Sequence, residues 1–361
     1  MGRQTDNKKR EKREKRKIKN NTKNEKMKRR NLFMYNNIKL DKSLYSITGK
    51  TFTQALTELD PDEGYENTEL KGFDAFERQL KRFGIRINGA GSDMVEKFFI
   101  SAESAVLFPE FIRRCIKEGM DEASIAAEVC AAVSYTDGVD YRGLSIVKTG
   151  ASDTCAEGAA LPETRVTLAA ESKRLVKYAR RLSCSYESIR KQRIDTFAVV
   201  LRNLGAVIGN AVNGALVTEL KRDISAMKNS GAKMTYDDLA AFWASMDSYN
   251  MNTMICSPAV MAKILALDEM KFVVSDYMAN GAVKTPYGVT IIKCSALGDN
   301  TIIGVDADYA AEMILGTDVI VDYDKLISAQ CEEISCSILA GFSRMSDAAV
   351  KVYDCTAANL A

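Results

Sequence analysis

The sequence predicts an α+β protein organised around one long helix. Three observations carry that prediction. In residues 185–220, Ile194, Phe197, Leu201, Leu204, Ile208, Ala211 and Ala215 recur three or four apart, the spacing of one helix face. Before that run, residues 164–168 and part of 175–183 alternate apolar with polar, as strands do. After it, short apolar runs alternate with helix signals as far as residue 353. At 361 residues the chain is long enough for two or three lobes of about 150 residues each.

The first thirty residues stand apart. They hold fifteen Lys and Arg against four Asp and Glu, a charge of +11, and almost no apolar residue. The rest holds 35 basic and 44 acidic residues, a charge of −9. Such a tail lacks the apolar surface that would offset ordering entropy, so disorder in isolation is expected. Lys8, Lys9, Arg10, Lys12, Arg13, Lys15, Arg16, Lys17, Lys28, Arg29 and Arg30 are candidates for contact with nucleic acid or another polyanion, such as an acidic scaffold. A solubilising tail is the plainer alternative. No apolar stretch follows the basic residues, so a secretory signal is not expected.

Residues 31–100 read as short helices. Thr51 opens one that stops before Asp60-Pro61. Phe73, Phe76, Leu80 and Phe83 form an aromatic stripe at helical spacing, with Glu77, Arg78, Lys81 and Arg82 expected on the wet side and Gly84 as the stop. Ser92 is expected to cap the next turn. Residues 104–120 read as helix broken or restarted at Pro109, and 121–133 as a further helix. Residues 141–148 look like a strand, and 149–162 like a long loop of small residues. Residues 164–168 and 175–183 are expected to pair as a projecting antiparallel ribbon. Lys173, Arg174, Lys177, Arg180 and Arg181 crowd its second strand and are candidates for contact between subunits. An isolated two-stranded ribbon is marginal in water, so it gains order by lying on a neighbour.

Ser185 is the expected N-cap of the long helix, with Glu187 in its first turn. Arg202, Asn203, Asn210 and Asn213 interrupt its apolar run, which argues against a membrane span. Gly205, Gly209 and Gly214 each cost about 1 kcal/mol of helix stability against Ala, a cost that makes sense where another backbone packs closely. Beyond the helix, residues 237–246 form a short helix carrying Trp243, and 254–256 a buried strand. Ser257-Pro258 combines an N-cap with Pro at the first helical position. Thr285-Pro286-Tyr287-Gly288 fits a type I turn. Strands are expected at 288–294, 301–305, 319–323, 331–339 and 348–353.

Composition limits the chemistry. The chain has no histidine, which removes Ser-His-Asp and Cys-His nucleophilic sites, His-containing zinc sites and the commonest neutral-pH base. The nine cysteines include no CxxC pair and are expected to stay reduced. Asp306, Asp308, Asp318, Asp322 and Asp324 could hold a hard cation, but the wet face of a sheet accounts for most of them. Cys331 and Cys336 lie five apart on a strand and point to opposite faces. Asn88-Gly89-Ala90-Gly91 follows no strand and lacks the Lys-Ser/Thr of a phosphate loop. No catalytic, cofactor or metal site is assigned, and no enzyme is expected.

Four stretches, in this order, resemble the major capsid proteins of tailed double-stranded DNA phages with the Hong Kong 97-type fold. They are LPETRVTLAAESKRLVKYARRLSCSYESIRKQ (161–192), the helix at 194–220, MICSPAVMAKILAL (254–267), and the strand-rich run at 302–354. GFDAFERQLKRFGIRI and SAESAVLFPEFIRRCIKEGM are similar to the N-terminal part of capsid proteins from phages and prophages of Gram-positive bacteria. The likeness covers the chain from about residue 72 onward.

The resemblance implies a division into a basic tail (1–30), a helical N-terminal arm or scaffolding-like segment (31–103) and the start of a peripheral domain (104–142). An extended β-ribbon loop (143–183), a spine helix (184–224), an apical domain (225–325) and C-terminal strands shared by the peripheral and apical domains (326–361) would follow. It implies a virion shell protein, assembled in the bacterial host cytoplasm as pentamers and hexamers. Partners would be a portal, a scaffolding protein or maturation protease, and packaged double-stranded DNA held non-specifically, with no membrane and no cofactor. Residues 1 to about 70 would face the shell interior. Some family members form isopeptide crosslinks; Lys173 and Lys177 lie in the relevant loop, but no partner Asn and Glu are placed and no crosslink is assigned. The alternatives are an encapsulin-like nanocompartment shell and a non-capsid nucleic-acid binder acting through the basic tail.

Overall fold

A computed structural model describes residues 35–47, 49–66, 68–149, 155–158, 161, 163–168, 172–273, 283–298 and 300–356. The elements run α1 (Phe52–Leu59), α2 (Ala75–Arg82), α3 (Ala102–Ala105), α4 (Leu107–Ala123), α5 (Ala126–Val129), β1 (Ala132–Tyr135), β2 (Asp140–Tyr141), β3 (Leu144–Thr149), β4 (Glu163–Leu168), β5 (Lys173–Arg174) and β6 (Val176–Ser185). There follow α6 (Tyr186–Arg190), α7 (Ile194–Lys221), β7 (Ala226–Lys228), α8 (Tyr236–Ala244), β8 (Thr253–Cys256), α9 (Pro258–Leu265), β9 (Thr290–Lys293), β10 (Thr301–Val305), β11 (Ala311–Leu326), β12 (Cys331–Arg344) and β13 (Val350–Asp354). The chain divides into two compact units. Among the described residues, the first gathers those in 35–115, 183–201 and 323–333; the second gathers those in 116–182, 202–322 and 334–356.

In the first unit the short helices are fixed by their caps. Thr51 and Gln54 form a capping box on α1, and Asp74 and Glu77 form one on α2. Gly84, at φ +63°, ends α2 in the left-handed region where glycine is favoured. Phe76 and Leu80 are buried as the stripe predicts, but Phe73 is exposed. Arg78 departs from expectation: it is fully buried rather than on the wet side. Its Nε meets Asp60 Oδ2 at 2.6 Å, Nη1 meets Asp62 Oδ1 at 2.8 Å, and Nη2 donates to the Asp60 carbonyl at 2.5 Å. The Tyr65 hydroxyl donates to the other Asp60 oxygen at 2.5 Å. A buried charge is tolerable when so fully paired.

Pro109 sits in the first turn of α4, where its missing N–H costs nothing, so the helix runs straight through it from Leu107. Phe98, Phe108, Phe111 and Phe197 pack ring on ring, with Phe108 5.4 Å from Phe98 and 6.2 Å from Phe197. Tyr323 meets Phe108 edge-on at 5.5 Å.

The run expected as one helix from residue 185 is two. Ser185 caps α6, accepting from the Ser188 N–H, and the chain leaves helical geometry at 191–193 before α7 begins. The break has a cause. Val95 N–H donates to the Gln192 carbonyl at 3.0 Å, Ile194 N–H donates to the Asp93 carbonyl at 2.8 Å, and Met94 bridges Arg193. Ser92 is therefore no cap; its hydroxyl lies 3.2 Å from Arg193 Nη2.

In the second unit, the later turns of α4 and α7 cross at very short range. A Cβ on Gly205 would collide with the Ile116 carbonyl, one on Gly119 with the Arg202 backbone, and one on Gly209 would sit 2.8 Å from the Met120 oxygen. The expected close approach holds for Gly205 and Gly209. Gly214 is different: its nearest neighbour would be Ala296 Cβ at 3.8 Å. Among the described residues α7 is the one helix long and apolar enough to cross a membrane. Yet its Asn213 is buried, accepting from Ile125 N–H at 3.1 Å and donating to the Ala123 carbonyl at 2.8 Å. Those bonds are the work of a protein-core helix. They also mark where the helix expected at 121–133 fails: α4 ends at Ala123, α5 is one turn, and 132–135 is strand β1.

Two sheets follow. One has the order β1-β11-β12-β6, with β1 parallel to β11 from Ala132↔Glu312 to Tyr135↔Leu315. The other has the order β7-β13-β10-β8-β9. β8 is buried at all four residues, and Leu239, Phe242, Val260, Ile264 and Tyr353 pack in the same core. Ser257 and Pro258 start α9 as predicted, and Gly288 N–H closes the 285–288 turn on the Thr285 carbonyl at 2.9 Å.

The ribbon is paired differently from expectation. β4 pairs antiparallel with β3, from Leu144↔Leu168 to Thr149↔Glu163, rather than with 175–183. β6 instead forms the edge of the four-stranded sheet beside β12. The shorter connector from β4 to 175 did not decide the pairing; β6 gains a neighbour by joining the four-stranded sheet.

Candidate functional site

The described residues hold no group of three or more Cys, Asp or Glu placed to bind a metal ion. The acidic residues singled out in sequence have other work. Asp306 is buried and accepts from the backbone N–H of Asn250 at 3.0 Å and of Asp308 at 3.2 Å. Asp318 pairs with Lys117 at 3.1 Å. Three thiols are held far from thiolate chemistry at neutral pH: burial pushes Cys130 up to about 12, and Cys336 and Cys355 up to about 11.

What the second unit does present is a surface of unfinished contacts. Along β3–β4, Leu144, Val166 and Leu168 are exposed, and Leu161 lies 81% exposed beyond the strands. The pairs Leu144↔Leu168 and Ile146↔Val166 set the register. Apolar residues on a two-stranded ribbon contribute nothing to a lone chain and point to a partner surface.

The ribbon's root, by contrast, is built rigidly. β2 pairs β5, Asp140 opposite Arg174 and Tyr141 opposite Lys173. The Tyr141 hydroxyl donates to buried Glu312 at 2.9 Å, and Ser134 donates to the same carboxylate. Burial and the neighbouring Glu312 carboxylate both raise the Tyr141 pKa, keeping the hydroxyl a donor. Leu175 is buried as a wedge: a Cβ on Gly316 would lie 3.0 Å from it and one on Gly341 2.7 Å from it. A Cβ on Gly143 would press on Ser343. Two adjacent strands thus give up side chains to seat one leucine.

The five predicted contact residues are divided by this arrangement. Lys173 is taken by its own chain, its Nζ 3.0 Å from Glu219 Oε1, both partly buried. Arg174, Lys177, Arg180 and Arg181 are exposed, the last three on β6. Along β6, Lys177, Ala179, Arg181, Ser183 and Ser185 are all exposed at alternate positions, while Tyr178, Leu182 and Cys184 between them are partly buried. Charged residues on an edge strand also prevent indiscriminate strand pairing. The eleven basic residues from Lys8 to Arg30 lie outside the described residues. Sequence reasoning missed Leu175, Gly143, Gly316, Gly341 and Glu312. Glycines inside strand patterns were the one available signal of a close approach.

Comparisons with known proteins bear on the family and the fold. A family model described as phage capsid protein matches residues 170–342. No curated protein matches the chain at a significant level. Among solved structures, the capsid of an empty GTA particle is similar with a TM-score of 0.50 and 14% identity, covering 65% of this chain and 90% of that one. A virus-like particle from Pyrococcus furiosus gives 0.47 and 14%, covering 68% and 98%. An encapsulin complex from Synechococcus elongatus gives 0.46 and 11%, covering 63% and 85%. The family match over residues 170–342, just under half of the chain, and an α+β fold of the Hong Kong 97 type make this chain similar to phage capsid proteins.

Proposed function

We propose that this chain is the major capsid protein of a tailed phage or prophage, assembling as pentamers and hexamers into an icosahedral head around double-stranded DNA. The observation that carries the proposal beyond this similarity is the β3–β4 ribbon. Its described apolar residues lie in water in a single chain, while its root is held by Glu312, Leu175 and three close-packed glycines. A rigid mount for an unsatisfied arm suits docking on a second copy. The exposed basic edge of β6 offers polar contacts to a second copy as well. In this reading the ribbon is the extended loop, α7 the spine helix, and the five-stranded sheet the core of the apical lobe. Work of this kind is structural.

The basic first thirty residues, at +11 beside a body of −9, suit the shell interior, where packaged DNA or an acidic scaffold would meet them. A portal and a maturation protease complete the expected partners, and the virion is the expected location, with assembly in the host cytoplasm. Electron microscopy of the purified full-length protein tests the proposal. Closed shells of uniform diameter, or rings of five or six, are expected. A strictly monomeric species at all concentrations and salts would overturn it. Nucleic acid inside the shells, rather than enzyme cargo, separates a phage head from a nanocompartment.

A further inference from the structure

We infer that the described residues of 35–115 are a permanent structural arm of the subunit, and that N-terminal shortening of this chain stops upstream of residue 40. A removable scaffolding segment should touch the remainder of its chain weakly. This segment does the opposite, because the first unit has no core without it.

Three sets of contacts carry the inference. The first locks the segment to α4. The Tyr45 hydroxyl donates to the Val106 carbonyl at 2.7 Å and accepts from the Glu110 N–H at 3.1 Å. Thr53 donates to buried Glu110 at 2.6 Å, and Arg114 meets Asp74 at 2.6 Å. The second set is the Arg78–Asp60–Tyr65 cluster, which closes α1 and α2 on each other around a charge that cannot be left half-paired. Further upstream, Gln79 and Arg82 donate to the carbonyls of Tyr35 and Ile38, at 2.9 and 2.7 Å. The chain is therefore tied down from its first described residues.

The third set joins the arm to pieces of the stretch that matches the capsid family. Asp93 and Val95 hold the helix break at 191–193 by the two backbone bonds described above. Arg193 Nη2 also donates to the Ala90 carbonyl at 2.6 Å. Phe99 carries the Arg190 guanidinium and the Lys325 ammonium, each 5.5 Å from its ring centroid. Phe108 packs on Phe197 and Tyr323. Removing the arm would bare Ile194 and Phe197 at the start of the long helix and Ile189 of α6, all now buried.

Limited trypsin digestion of the full chain, followed by intact-mass analysis, tests the arm itself. Fragments beginning within the first 40 residues are expected. Cuts after Arg78, Lys81, Arg86 and Lys97 should run at least about a hundredfold more slowly, since each first needs local unfolding. Fragments beginning between residues 79 and 115 at the same rate as early loss would overturn the inference. A Phe108→Ala variant gives a second readout. Cleavage after Arg190, Lys191, Arg193 and Lys325 should accelerate by about tenfold or more, with cuts in β7–β9 unchanged; equal rates at 190–193 and 325 would show that the arm clamps nothing. The part concerning particles rests on the shell reading. There, subunits in purified particles should retain residues 40–115, and subunits that begin after residue 70 would refute permanence. Absence of particles would count against the shell reading alone, because the digestion result stands without it.

Discussion

The N-terminal arm and the β3–β4 ribbon handle their demanding side chains in opposite ways. The arm buries a guanidinium, two carboxylates and a ring cluster, and pairs every one within its own chain. The ribbon leaves Leu144, Val166 and Leu168 in water on two strands that pair only with each other. The difference separates residues that serve folding from residues that serve association. Substitution in the arm should lower the stability of the single chain, whereas substitution in the ribbon should leave the chain intact and abolish the particle.

The largest effect should come from the ribbon, read by assembly. Val166→Asp with Leu168→Asp is expected to leave the unfolding midpoint within about 0.5 kcal/mol of wild type, as exposed sites do, while closed shells disappear in electron micrographs. A drop in monomer stability instead would mean that the ribbon already belongs to a folded core. Next is the arm. Arg78→Met strands the buried Asp60 carboxylate and should cost about 3–5 kcal/mol in chemical denaturation. A loss below 1 kcal/mol would show that Asp60 finds water or protonates freely.

Two glycine variants sharpen the account of the long helix. Gly205→Ala should destabilise by about 1–3 kcal/mol or more through overpacking against the Ile116 carbonyl. Gly214→Ala, whose added Cβ would meet only Ala296 Cβ at an ordinary 3.8 Å, should stabilise by up to about 1 kcal/mol. Calorimetry on the pair decides whether close crossing, rather than helix propensity, sets the glycine positions.

The smallest effect concerns acid. Burial alone would raise the Glu110 pKa, but Arg113, Thr53 and Arg114 more than offset it, and the folded value lies below the ordinary one. Its contribution is therefore complete above the unfolded pKa of about 4.3 and is lost as pH falls through the lower folded value. Glu110→Gln should flatten the dependence of stability on pH below about pH 4, measured by urea unfolding. An unchanged slope would remove Glu110 from the acid response.

Much of this architecture was legible locally. The Ser257-Pro258 helix start, the 285–288 turn, the stop at Gly84 and the apolar period of the long helix each depend on residues within one turn of one another. The misreadings share a cause. Arg78 looked solvated because its partner Asp60 lies eighteen positions away. The long helix looked continuous because the groups that break it, Asp93 and Val95, lie about a hundred positions upstream. Residues 164–168 carried a sound strand signal without saying which strand would receive them. At the candidate site, the basic row on β6 was visible in the sequence, and its loss of Lys173 to Glu219 was not.

The burial of the thiols bears on durability. A shell of the kind proposed must persist in air-saturated surroundings. Cys115, Cys256, Cys294, Cys336 and Cys355 are buried, and Cys155 alone of the nine is exposed. A thiol at about 11, as for Cys336 and Cys355, holds roughly 300-fold less thiolate than an ordinary one near 8.5. Disulfide exchange and peroxide attack slow in proportion. The same packing that builds the core thus shields these thiols from oxidation.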